Sequence, residues 1–97
     1  MESIKILGRK YAIARVQHIS RDERVLGQIN SIEQKITILD GLTPEHAQNV
    51  LLHATIHGIL NGLGFHEEAG NETLVQSLAT GLHQCIQDNP ELFKAFK

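Results

Sequence analysis

The chain has 97 residues, 41% hydrophobic and 21% charged, which is the composition of one globular domain spanning residues 1–97. Its formal charge of -2 creates no broad positive field, which argues against sequence-independent binding to nucleic acid. No apolar run reaches the roughly 20 residues needed to span a bilayer, and the N-terminus lacks the layout of a secretory signal, so we expect a cytoplasmic protein without a membrane segment.

The first forty residues have the alternating apolar pattern of β-strands joined by turns. Residues Ile4–Leu7 and Tyr11–Val16 predict one hairpin. Residues Val25–Ile29 and Lys35–Leu39 predict a second β unit around a polar turn at residues 30–31. We expect these strands to form a small antiparallel sheet.

A helical pattern replaces the strand pattern after residue 41. Thr43 is a favourable N-cap residue and Pro44 suits the first helical position, so we expect a helix from Pro44 to about Leu63. Gly62 and Gly64 favour the end of this helix at that point.

A second helix is predicted to open at Gly70-Asn71 and to end at Asp88-Asn89-Pro90, because the residue before a proline disfavours helical geometry. Its apolar residues recur at helical spacing and predict a buried face made of Val75, Leu78, Ala79, Leu82 and Ile86. Cys85, the single cysteine, lies on this stripe, which favours a small core residue over a nucleophile.

The last residues predict a short C-terminal helix that packs back on the core through Leu92, Phe93 and Phe96. The expected fold class is therefore α+β, with a small antiparallel sheet followed by two main helices and this short helix.

The stretch His53-Ala54-Thr55-Ile56-His57 carries the strongest functional signal in the chain. Histidines four residues apart lie on one face of a helix, so their ring nitrogens are able to share a metal ion. Zinc peptidases use this spacing in H-E-x-x-H, whose glutamate takes a proton from the metal-bound water. Ala54 occupies the glutamate position here. The stretch predicts a metal site without its catalytic base.

A catalytic zinc site has three protein ligands and a fourth position for water, so His53 and His57 need a third partner. Glu72 is the best candidate, because it lies three residues before Val75 and continues the predicted buried face of the second helix. An acidic residue in the first helical turn is also favoured by the helix dipole without any metal.

Several other histidine and glutamate residues are alternative third ligands or lie outside the site. His66, Glu67 and Glu68 follow the first helix in a predicted loop, where each is a rival ligand or a solvated residue. His46 lies two turns before the histidine pair, at the rim of the site or on the surface. His83 lies too far along the second helix for direct ligation at about 1.5 Å per residue.

Three segments, Leu51–Leu60, Asn71–Val75 and Asp88–Leu92, resemble the small zinc metallopeptidases encoded by phages and prophages, which are relatives of the repressor-cleaving immunity peptidases of mobile elements. The similarity covers most of the chain, because it extends upstream to Gly27–Ile29, Ile36–Leu39 and Thr43–Glu45. Members of this family resemble a minimal zincin, with a short sheet, a helix bearing H-E-x-x-H and a following helix bearing a glutamate ligand.

The resemblance implies that His53, His57 and Glu72 bind Zn²⁺. It also implies a protein substrate, such as a phage repressor or a host factor, in the bacterial host cytoplasm. Ala54 departs from the family pattern and removes the general base. Either it is a substitution of the kind made to silence a protease while preserving its helix, or the natural protein is a pseudopeptidase.

These observations lead to three hypotheses. The first is a zinc metallopeptidase, inactive in this form, which lays a substrate strand along an exposed sheet edge, with Lys35–Leu39 as the candidate edge. The second is a zinc-stabilised module that binds a protein in the same cleft. The third is an interaction domain without metal.

Overall fold

The computed structural model describes residues 2–92 and 94–96. Its elements in chain order are β1 (Ser3–Ile6), β2 (Arg9–Val16), β3 (Gly27–Asn30), β4 (Lys35–Leu39), α1 (Pro44–Gly62), α2 (His66–Ala69), α3 (Glu72–Asp88) and a final 3-10 turn (Lys94–Phe96). The expected α+β class, with a sheet followed by two main helices, is confirmed. Among the described helices, none is both long and apolar enough to cross a membrane.

The four strands form one mixed sheet in the order β1-β2-β4-β3. The β1/β2 and β3/β4 pairs are antiparallel as expected, but β2 and β4 run parallel, with Ile13 opposite Ile36. The expectation of a wholly antiparallel sheet is therefore wrong. After β2 the chain forms β3 at the far edge of the sheet and then returns as β4, between β2 and β3. Because β4 is an interior strand, the side chains of Ile36 and Ile38 are buried.

Two turns set the strand limits. Leu7 and Gly8 have φ values of 51° and 81°, so β1 and β2 join through a tight two-residue hairpin that begins earlier than expected. In the β3–β4 turn, the Asn30 side chain accepts hydrogen bonds from the backbone N–H groups of Ile32 and Glu33, both at 3.0 Å. The Asn30 side chain therefore accepts hydrogen bonds from backbone groups of the turn that are not paired in the sheet.

Helix α1 lies across one face of the sheet. Thr43 caps it as expected, because its side chain accepts a hydrogen bond from the backbone N–H of His46 at 3.2 Å. The core beneath the helix contains Ile6, Tyr11, Ile36, Ile38, Val50 and Ala54. Burial of this apolar face, more than local propensity, holds the helix in place.

Helix α3 packs against the opposite side of α1 through a second cluster of buried residues, Ile56, Val75 and Ala79. Only part of its predicted apolar face is covered. Leu78 and Leu82 remain 45% and 40% exposed, and Cys85 is exposed, so its assignment to the core is wrong. The reason is that α3 contacts α1 and α2, and no other described element covers its outer side.

Two further expectations fail. Residues 66–69 form the one-turn helix α2 instead of a loop. The short C-terminal helix is present as a 3-10 turn, but the prediction that it packs on the core is wrong, since Leu92 and Phe96 are 40% and 80% exposed. Phe93, the third residue of that prediction, lies outside the described residues.

Candidate metal centre

The two motif histidines and Glu72 meet where the middle of α1 faces the start of α3. The Nε2 atom of His53 lies 3.1 Å from Glu72 Oε2, and the Nε2 atom of His57 lies 3.0 Å from Glu72 Oε1. The two Nε2 atoms are 3.0 Å apart. One nitrogen from each histidine and one carboxylate group thus converge on a single point; helical spacing predicts the common direction of the two histidines, and the packing of α3 on α1 brings Glu72 to them.

These distances suit one small cation. Four ligands around a tetrahedral ion with bonds of about 2.1 Å lie roughly 3.4 Å from one another. The 3.0–3.1 Å separations around Glu72 would therefore lengthen by about 0.3–0.4 Å if an ion entered. His53, His57 and Glu72 can hold a metal ion.

The environment of the three side chains is asymmetric. The His53 and His57 side chains are 22% and 19% exposed, so packing restricts their rings, whereas the Glu72 side chain is 69% exposed. Glu72 was expected to continue the buried face of α3. It is instead the first residue of that helix and lies at the mouth of the cleft, where the site opens to water.

The hydrogen bonding of His53 points its lone pair into the site. Its Nδ1 atom lies 2.7 Å from Oε1 of Gln76, and a carbonyl oxygen only accepts, so Nδ1 carries the proton. In the neutral ring the Nε2 atom then presents a lone pair to the carboxylate of Glu72. A metal ion placed between this nitrogen and the carboxylate, which are 3.1 Å apart, would be bound by both.

A cleft of about 790 Å³ lies over the three candidate ligands. One wall is helix α1, and the other includes residues 25–29, which contain the start of β3. Asp22 and Arg24 stand at its rim, where the Arg24 guanidinium donates to the Asp22 carboxylate at 3.0 Å. These hydrogen bonds lower the pKa of the Asp22 carboxyl below its ordinary value.

Ala54 lines this cleft between the two histidines. It is only 3% exposed and also belongs to the core cluster that contains Val50 and Ile36. Among the described residues, the acidic side chains that line the cleft are Asp22 and Glu72. The Asp22 carboxylate is paired with Arg24, and the Glu72 carboxylate contacts both histidines.

The rival residues lie elsewhere. Within residues 2–92 and 94–96, the metal-ligating group does not include His66, Glu67 or Glu68. His66 instead contacts Asn61 Oδ1 through Nδ1 at 3.1 Å. His46 lies on the cleft wall, whereas His83 contacts Gln48 at 3.4 Å and does not line the cleft.

Residues that the sequence interpretation missed complete the centre. Gln76 lies one helical turn after Glu72, and Asn49 lies one turn before His53. The four-residue spacing that found the histidine pair could have found both. Comparison with protein-family models, characterised proteins and solved structures found no match to this chain.

Proposed function

We propose that the chain is a small zinc metallopeptidase of the phage type, held in an inactive form by Ala54, which binds a protein segment in its cleft. The observation that carries this proposal is the convergence of His53, His57 and Glu72 beneath a cleft that borders the sheet edge. Two imidazoles and one carboxylate form a common donor set of catalytic zinc sites.

The donor atoms favour a transition metal such as zinc over magnesium or calcium. Magnesium and calcium select sites rich in oxygen, whereas two of the three donor groups here are imidazoles. Bound zinc would acidify a coordinated water and polarise a substrate carbonyl. The exposed position of Glu72 leaves the site open toward the cleft, as a catalytic site requires and a closed structural site does not.

The free edge of β3 offers a place for the substrate backbone. The expected edge, β4, lies inside the sheet between β2 and β3, so that assignment is corrected. The backbone N–H of Leu39 donates to the Leu26 carbonyl at 2.8 Å, and antiparallel pairing alternates from there. The backbone groups of Gly27 and Ile29 consequently point away from β4 and can pair with an extended peptide.

The chain's own residues explain why binding would not lead to cleavage. A general base must lie within about 3 Å of the proton it removes, or reach it through one water. Position 54 is the place on α1 between the two histidines that faces the cleft, and its methyl group accepts no proton. The carboxylates of Asp22 and Glu72 are engaged by Arg24 and the histidines.

The test compares the unsubstituted chain with Ala54→Glu and with Ala54→Gln, which has the same shape without the base. We expect about one zinc per chain in all three forms after dialysis, and loss of zinc in His53→Ala. New protein N-termini in bacterial extract should appear only with Ala54→Glu and should disappear with chelator. An unsubstituted chain that binds no zinc would end the proposal.

A natural pseudopeptidase is the second candidate, and the burial of Ala54 favours it. The side chain is 3% exposed and packs with Val50, so the site is shaped around a methyl group. In that case Ala54→Glu would retain zinc and remain unable to cleave. A pull-down with the unsubstituted chain, blocked by His57→Ala, would then identify the protein that the cleft binds.

A further inference from the structure

We infer that Gln76 is a positioning residue of the metal centre, which sets metal affinity by fixing the tautomer of His53. This inference rests on the proposed metal site and adds the residue that prepares it. Gln76 Oε1 and His53 Nδ1 are 2.7 Å apart, one of the shortest side-chain contacts in the centre. The contact joins α3 to α1 on the side of the ring that faces away from the metal position.

Helix α3 therefore holds both nitrogens of the His53 ring. Glu72 faces Nε2 at 3.1 Å, and Gln76, one turn later on the same helix, faces Nδ1 at 2.7 Å. Residues four apart lie on one helical face, so a single element aligns the ring from two sides. The orientation of His53 thus depends on α3 as much as on its own helix.

A second pair of hydrogen bonds determines which end of the Gln76 amide faces the ring. Its NH₂ group donates to Asn49 Oδ1 at 3.3 Å and to Thr80 Oγ1 at 3.1 Å. With the NH₂ group bound to two oxygens, the carbonyl oxygen of the amide is the atom turned toward His53. A donor at that position would select the opposite tautomer of the ring.

The position of the proton on the His53 ring determines which nitrogen is able to bind a metal ion. With the Nδ1 proton donated to Gln76, the lone pair of His53 is on Nε2, where an ion needs it. Without Gln76 the neutral ring can place its proton on Nε2, beside the carboxylate of Glu72, and metal entry must first displace that proton. Outer partners of this kind typically change metal affinity by about 10- to 100-fold.

The experiment measures zinc affinity by chelator competition in three variants of the full chain. Gln76→Ala should bind zinc about 10- to 100-fold more weakly. Gln76→Glu should recover the affinity, because its carboxylate also accepts from Nδ1. Gln87→Ala is the matched control, since Gln87 lies on the same helix and contacts Glu45 on α1 at 3.5 Å, away from His53. Its affinity should be unchanged.

A second measurement needs no zinc. In the metal-free protein at alkaline pH, the imidazole ¹⁵N chemical shifts of His53 should show the Nδ1–H tautomer, and Gln76→Ala should populate Nε2–H. A cooperative thermal unfolding transition in each metal-free variant shows that the variant is folded.

The two proposals fail in different ways. An unsubstituted chain that does not bind zinc overturns the metal site and this inference together. Zinc binding that Gln76→Ala leaves unchanged, or an unchanged His53 tautomer in that variant, overturns only the role of Gln76.

Discussion

Gly58 directly follows His57 and lies where α1 passes over the sheet. The substitution Gly58→Ala therefore tests how closely the histidine-bearing helix must approach the strands. A Cβ atom at Gly58 would lie 2.8 Å from Ile29 Cδ1 and 3.1 Å from Ile6 Cδ1. The matched change is Gly81→Ala on α3, where a Cβ atom has no neighbour within 4 Å.

The two substitutions gain the same helix propensity, about 1 kcal/mol. Gly81→Ala keeps this gain because its methyl group enters open space. At Gly58 the methyl must displace the Cδ1 atom of the half-buried Ile29 and press on Ile6, which is only 4% exposed. Overpacking of this kind costs about 1–3 kcal/mol, so we expect Gly58→Ala to be less stable than Gly81→Ala by that amount.

Thermal and urea unfolding of both variants measure this difference. For a domain of this size each kcal/mol shifts Tm by about 4–8 °C, so Gly58→Ala should melt on the order of 4–24 °C below Gly81→Ala. The slope of the urea transition should be the same in both, because the surface exposed on unfolding is unchanged. A separation smaller than about 2 °C would refute the close approach of α1 to the sheet.

Three shorter predictions follow from the site and its supports. Zinc at 100 times its Kd should stabilise the chain by about 2.7 kcal/mol in thermal unfolding, and His57→Ala should abolish the shift; a shift retained in that variant would place the ion elsewhere. Thr43→Ala removes the oxygen that accepts from the His46 N–H and should cost about 1 kcal/mol in urea unfolding, whereas an unchanged midpoint would contradict the cap. Arg24→Gln removes the guanidinium that donates to Asp22 and should raise the pKa of that carboxyl toward its ordinary value in an NMR titration, although the backbone N–H of residue 24 still donates to it; no rise is expected if the side-chain pair does not form in solution.

Local signals explain which features the sequence predicted well. The start of α1 depends on Thr43 and Pro44, neighbours whose capping and steric effects extend over one turn. The common direction of His53 and His57 depends only on helical periodicity. Glu72 was found because the start of α3 carries its own signal, although its exposure was misjudged.

Long-range packing explains the errors. The parallel pairing of β2 with β4, and the edge position of β3, depend on where a distant hairpin docks, which strand periodicity does not encode. The exposure of Cys85 follows from the narrow contact of α3 with the rest of the fold. Apolar spacing predicts a face but does not show how much of it finds a partner.

By itself, the sequence determined the two main helices, the pairing of His53 with His57 and the absence of a carboxylate at position 54. Each depends on residues within a turn or two of one another. The tertiary structure alone decided that Glu72 reaches both histidines, that β3 borders the cleft and that Gln76 holds the His53 ring. These contacts cross between elements, and only the packing of α3 on α1 and of α1 on the sheet brings their atoms within hydrogen-bonding distance.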